Sequence, residues 1–344
     1  MPTPPQARRT PHEHLAHGVV RSDPYAWMSD AEPDEHPELM AHLTAEREWY
    51  DVSTAHLDSL SSRLRSEMEQ RVPERQRSST WSRMRFSYYT ETTKNRDYAV
   101  IWRESRHDPD TNAAKSAAEV VLDVNSLDAG TGYLDLGLSV VSPDEHLLAY
   151  ALDTAGDERF VLRFRDLRTG EDLPDVIEDV GYSGAWTVDS STFLYTVPDA
   201  AWRHDRVRAH RLGTEVGEDR DVLVEDDRRF EVTVRLTRSE QVILVHSESR
   251  ETSEVWAVDP ADPDLVPRSL GGRRDGVIYS AEHVKDGGYL VVTNDDAVEF
   301  RLVRCDSPGE PWVEVRPEEP TERLDRVDAF AGRVVASYCH RGDN

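Results

Sequence analysis

Lysine is almost absent from this chain: Lys94, Lys115 and Lys285 are the only three, and arginine supplies nearly all of the remaining positive charge. Lysine and arginine together number 41 against 67 acidic residues, a formal net charge of -26. A chain so poor in cations has no basic footprint with which to displace counterions from a phosphate backbone, which excludes nucleic acid as a partner. The same shortage excludes an anionic membrane surface. Cysteine is equally scarce. Cys305 and Cys339 are the only two, too few for a disulfide framework or a cysteine zinc site, and they fit a reducing compartment. No apolar run approaches the ~20 residues that a membrane helix needs. No apolar stretch follows Arg8 and Arg9, as one would in a secretory signal. A cytoplasmic location is therefore expected. With 344 residues there is room for one large domain or two ordinary ones.

Three regimes follow one another. Residues 11–28 read as an irregular arm, yet Tyr25 and Trp27 stand directly after Pro24. A solvated tail has no use for such rings, so the arm is expected to lie on a folded body. From Glu38 to Met68 the apolar residues Leu39, Leu43, Trp49 or Tyr50, Leu57, Leu60, Leu64 and Met68 recur at helical spacing, and Pro73 ends the pattern. This predicts a long amphipathic helix whose apolar stripe needs a partner.

After Pro73 the pattern changes to short strands that recur. The clearest series begins at Phe86, Leu147, Phe193, Val242, Tyr289 and Val334, with spacings of 61, 46, 49, 47 and 45 residues. The long first spacing coincides with a polar stretch, Arg106 to Ser116, read as a loop insertion. A polar turn precedes most members, as in Ser142-Pro143-Asp144-Glu145 and Val188-Asp189-Ser190-Ser191. Further strands are predicted at Tyr98 to Arg103, Phe160 to Asp166, Val207 to Leu212, Glu254 to Asp259 and Phe300 to Arg304. Outer strands are predicted at Val120 to Val124, Asp221 to Val224 and Trp312 to Val315. Self-similarity of this period and strand count marks a β-propeller, each unit a four-stranded blade. The predicted fold class is mainly β. Five complete blades and part of a sixth occupy 74–344, preceded by an arm and helix over 1–73.

Candidate chemistry is sparse. Gly181-Tyr182-Ser183-Gly184-Ala185 approaches a nucleophile elbow, but it lacks the second glycine in place and leads into a strand instead of a helix. His12, His14 and His17 invite a metal, yet the helical His-Glu-x-x-His spacing is missing and Pro11 favours an extended chain. The carboxylates of Glu225-Asp226-Asp227 and Asp295-Asp296 fit inter-strand turns better than a glycosidase pair facing across a sugar. Cys305 and Cys339 fall in predicted strands and read as packing residues. Gly271-Gly272-Arg273-Arg274 has no Lys-Ser/Thr sequel and is no phosphate loop. No catalytic, cofactor-binding or metal-binding residue is assigned.

The arm motif His17-Gly18 followed by Arg21-Ser22-Asp23-Pro24-Tyr25-Ala26-Trp27 resembles the opening of the prolyl oligopeptidase family, in particular its oligopeptidase B branch. Ser142-Pro143-Asp144 through Thr154-Ala155-Gly156-Asp157-Glu158, Arg211-Leu212-Gly213-Thr214, Thr252-Ser253-Glu254-Val255-Trp256 and Leu290 to Ala297 extend the likeness along the chain. The resemblance implies a serine peptidase of short peptides, cutting after Arg or Lys, in which a seven-bladed propeller caps an α/β-hydrolase domain and filters substrates. It also implies that the rest of the sixth blade, the seventh, and the hydrolase domain with its serine, aspartate and histidine lie outside these residues. The chain alone is then expected to be inactive and prone to associate, its partners being short basic peptides and a hydrolase domain, either on a continuing reading frame or encoded separately. A stand-alone propeller that binds a peptide or protein without catalysis is the alternative.

Overall fold

The computed structural model describes residues 3–29, 36–106, 117–127, 130, 132–285 and 287–340. Two compact units emerge, Met1–Arg75 and Gln76–Asn344.

In the first unit the arm is not irregular. Glu13–Ala16 pairs antiparallel with Val19–Ser22 across a two-residue turn, His17-Gly18. Both turn residues have positive φ, 52° and 77°, the signature of the tight turn whose twist matches its flanking strands, and glycine accepts it without strain. The flanks continue the pairing, with Asp23 N–H donating to His12 O and Thr10 N–H to Pro24 O, each at 2.9 Å. Trp27 Nε1 donates to Arg8 O at 2.8 Å, and the Arg8 guanidinium lies 5.6 Å from the indole centroid. The rings thus fold the arm onto itself.

Two helices follow, α1 over Pro37–Thr54 and α2 over Asp58–Arg71, joined by a 3₁₀ turn at Ala55–Leu57. Pro37 supplies a preset φ in the first turn. At the junction the Thr54 hydroxyl donates back to Tyr50 O at 2.8 Å, a bond that competes with the backbone ladder and bends helices. Leu39 is buried, but Leu43, Leu57, Leu60, Leu64 and Met68 are exposed, Met68 by 66 %. Among the described residues no helix is long and apolar enough to cross a membrane.

The second unit is a succession of antiparallel meanders. The first sheet holds Trp81–Ser82, Phe86–Thr93, Val100–Ser105 and Glu119–Asp123, with Arg75–Arg77 alongside. Four four-stranded sheets follow, spanning Asp135–Val180, Gly184–Val224, Glu231–Ser269 and Tyr279–Arg316, each with its strands in sequence order. A two-stranded sheet, Glu322–Phe330 with Arg333–His340, completes the series. Part of the predicted insertion, 107–116, lies outside the described residues.

What makes these sheets blades is where their apolar faces go. Tyr88, Leu122, Leu148 and Tyr150 join the first and second sheets. Phe164, Trp186 and Phe193 join the second and third, with edge-to-face rings 5.0–5.8 Å apart. Val207, Val232 and Val245 join the third and fourth, Leu244, Tyr279 and Val291 the fourth and fifth, and Leu290, Val292 and Leu324 the fifth and sixth. Every sheet therefore stacks on its neighbours in sequence. The first strands also meet one another: Trp186 Nε1 donates to Val140 O at 2.9 Å, and Val234 N–H to Ser183 Oγ at 3.1 Å. A ring of sheets with its first strands innermost is a β-propeller. Among the described residues there are five blades and two strands of a sixth, as the period predicts.

Candidate functional site

In such meanders the turns from first to second strand collect at one end of the ring. The turns from second to third strand, and the connections between blades, collect at the other. The inner strands border a central channel, and charged side chains bridge it between blades.

At the first end, Arg83 of the first blade reaches Glu240 of the fourth, with Nη2 and Nε at 2.9 and 3.1 Å from Oε1. The same guanidinium donates to Val141 O at 2.6 Å. Two blades separate the first from the fourth around the ring, so this pair spans the channel. Arg238 of the fourth blade bonds Asp328 of the sixth at 2.9 Å, and Arg235 bonds Glu282 of the fifth at 3.0 Å. Arg235, Arg238, Glu282 and Asp328, with Arg326, line a cavity of about 430 Å³ between the inner strands. The part-buried Arg83–Glu240 and Arg235–Glu282 pairs resist salt better than exposed pairs such as Arg238–Asp328.

The Glu225-Asp226-Asp227 cluster is a structural tie. Glu225 is buried and accepts from Ser247 Oγ and the Arg273 guanidinium, linking blades three and four. Burial pushes its carboxyl up, and those hydrogen bonds outweigh it, leaving the group below its usual range. Asp295 pairs with Arg274 and Arg301 in a turn.

Ser183 lies in the turn before Gly184–Trp186, its hydroxyl 3.3 Å from Thr196 Oγ1. No helix follows it, so no elbow forms. Gly271-Gly272 is a turn that Ser269 Oγ closes onto Gly272 N–H at 2.9 Å. Cys305 is buried in a strand, where burial raises its thiol, and Cys339 sits in the last described strand. His12 and His14 have ring centroids 6.2 Å apart on the hairpin. Among the described residues no group of three or more His, Cys, Asp or Glu is placed to hold a metal ion.

One serine–histidine contact escaped the sequence reading: Ser239 Oγ lies 2.8 Å from His283 Nδ1. It has the distance of a nucleophile and base. The serine, however, also bonds Thr237 Oγ1 at 2.9 Å within a turn, and among the described residues no carboxylate bonds the other ring nitrogen. Burial lowers the imidazole's basicity further. This is a turn lock without the orienting acid that a triad requires. Its partners are 44 residues apart, a separation no local motif signals.

Residues 4–344 match the family model described as the prolyl oligopeptidase N-terminal β-propeller domain. The chain belongs to this family. The chain is 32 % identical over 352 aligned residues to dipeptidyl aminopeptidase BI of Pseudoxanthomonas mexicana, covering 97 % of this chain and 48 % of that protein. It is 31 % identical over 303 residues to Protease 2 of Moraxella lacunata, covering 88 % and 43 %. Oligopeptidase B from Trypanosoma brucei superposes with a TM-score of 0.87 at 27 % identity, over 99 % of this chain and 50 % of that one. This member of the prolyl oligopeptidase family thus spans about half the length of the relatives it matches. Its residues correspond to their N-terminal propeller half.

Proposed function

We propose that this propeller gates substrate access in a cytoplasmic serine endopeptidase that hydrolyses short peptides after Arg or Lys. The observation that carries this reading is the match of residues 4–344 to the propeller domain of the family, in a chain half as long as its peptidase relatives. The hydrolase domain would supply the serine, histidine and aspartate, either on a longer polypeptide or as a separately encoded partner. Residues 1–73 would pack on that domain: the exposed stripe of Leu57, Leu60 and Leu64 supports an apolar partner for α2. A net charge of -26 favours cationic peptides at the gate. The Arg83–Glu240 bridge between the first and fourth blades supports a role in restricting passage at that end of the channel.

Reading the coding sequence beyond this chain and its neighbouring genes tests the proposal. An α/β-hydrolase with Gly-x-Ser-x-Gly in one of those places is the expected finding. Its absence from both would overturn the reading.

A further inference from the structure

Between the fourth and fifth blades one imidazole is set into an apolar seam with nothing to bond. His246 lies in the second strand of the fourth blade, Ile243–Glu248, opposite Thr233 on one side and Val255 on the other. Side chains alternate across a strand, so His246 shares its face with Leu244, two residues back. Leu244 and Val255 belong to the apolar cluster that joins the fourth blade to Tyr279, Ala281 and Val291 of the fifth. The Nε2 of His246 is buried and has no hydrogen-bond partner among the described residues. Part of the residue stays accessible, so a proton can reach the ring.

The groups around this ring suit its neutral form. On the first strand of the same blade, Arg235 stands diagonally across from His246. Its guanidinium already crosses the seam, to Glu282 at 3.0 Å and Ala281 O at 2.7 Å. Glu231 and Glu248 share that face farther along and are exposed. On the third strand, Glu254 alternates to the opposite face, where Ser269 and Arg273 hold it. From the fifth blade, the Tyr279 hydroxyl donates to Gly272 O at 3.2 Å and accepts from Val255 N–H at 3.1 Å. Glu282 is committed to Arg235 and to Arg238 N–H, and His283 to Ser239. Burial, with the Arg235 guanidinium adding to it, pushes the His246 imidazole down to about 3.

We propose that the seam between the fourth and fifth blades is an acid-sensitive joint, in which protonation of His246 parts the blades and frees the Arg235–Glu282 bridge. An imidazolium donates from both ring nitrogens and needs an acceptor or water at each. The closed seam supplies neither at Nε2, and the new charge also repels Arg235. Arg235 and Glu282 line the cavity between the inner strands, so parting here widens the channel. Because the folded chain holds a proton on His246 less tightly than the unfolded chain, acid favours opening. An unfolded histidine titrates near 6.5. The cost is therefore absent above that pH and grows as pH falls towards 3. At pH 5 it is about thirtyfold in the folding equilibrium. The joint is independent of the gating reading.

Hydrogen–deuterium exchange of the 344-residue chain at about pH 7.5 and pH 5, corrected for the intrinsic pH dependence of exchange, tests it. Segments 243–248 and 279–283 should lose protection at pH 5, while 86–93 and 147–153 of the first two blades keep theirs. In His246→Leu and His246→Gln, whose side chains take no proton, the seam should stay protected at pH 5. In urea unfolding between the same two pH values, the parent should lose about thirtyfold in its folding constant relative to His246→Leu. The other titrating groups are common to both chains and cancel. Loss of protection spread evenly over all blades, no loss at the seam, or an equal loss in the variants would overturn the joint. The first two results are read from the parent alone, so they decide even where a variant does not fold. Each leaves the gating reading intact, because that reading stands or falls on the hydrolase gene.

Discussion

Glu145 carries an unusual share of the contact between the first two blades. Its side chain is 1 % exposed and accepts from Arg85 N–H at 2.7 Å, Phe86 N–H at 3.3 Å and the Tyr88 hydroxyl at 3.1 Å. Its own carbonyl accepts from Arg103 at 3.0 Å. Removing the carboxylate leaves buried donors without acceptors, each costing about 1–3 kcal/mol. Glu145→Ala should therefore lower stability by about 3 kcal/mol in urea unfolding, and a loss under 1 kcal/mol would contradict this role. Tyr150 offers a second test. Burial, reinforced by its bond to Asp172, pushes the phenol up to about 12. A folded-state value above the unfolded one, near 10, means that the phenol's contribution is complete below pH 10 and is lost as pH rises towards 12. Stability should fall across that interval, and Tyr150→Phe, with no proton to lose, should show a shallower slope.

At the level of elements, legibility followed the physical source of each signal. Strands packed on both faces announce themselves by apolar runs, so Phe160–Asp166 was placed to the residue. Outer strands have one face in solvent and little pattern. Glu171–Val180 went unread because Pro174 and its acidic neighbours look like a loop, although an edge strand tolerates proline. The two-residue outer strand Arg268–Ser269 is too short to leave any period. The arm hid its hairpin because the turn depends on positive φ at His17, which composition does not reveal. The helical stripe was legible but its partner was not, and α2 shows it bare. Exposed apolar stripes drive association. Replacing Leu57, Leu60 and Leu64 by serine should shift the chain towards monomer in sizing chromatography while leaving its circular dichroism unchanged. An unchanged elution volume for a parent that associates would place the sticky surface elsewhere.

At the scale of the molecule, the propeller arises because each sheet stacks on its neighbours in sequence, the second to fifth on both faces, and the repeated spacing of inner apolar strands carries that information in the sequence. The channel's polar architecture is another matter. Arg83 and Glu240 stand 157 residues apart, and Ser239 and His283 stand 44 apart. Such contacts leave no local mark. The family motifs pointed to a peptidase, whereas the polar groups gathered at the inner strands brace neighbouring blades, and among the described residues no nucleophile, base and acid stand in line. The central claim is that these residues gate a reaction performed elsewhere. Its most direct test is incubation of the purified chain with benzyloxycarbonyl-Arg-Arg-aminomethylcoumarin, following fluorophore release. No release above buffer is expected. Release that co-purifies with the chain and is abolished by a serine-reactive inhibitor would contradict the claim.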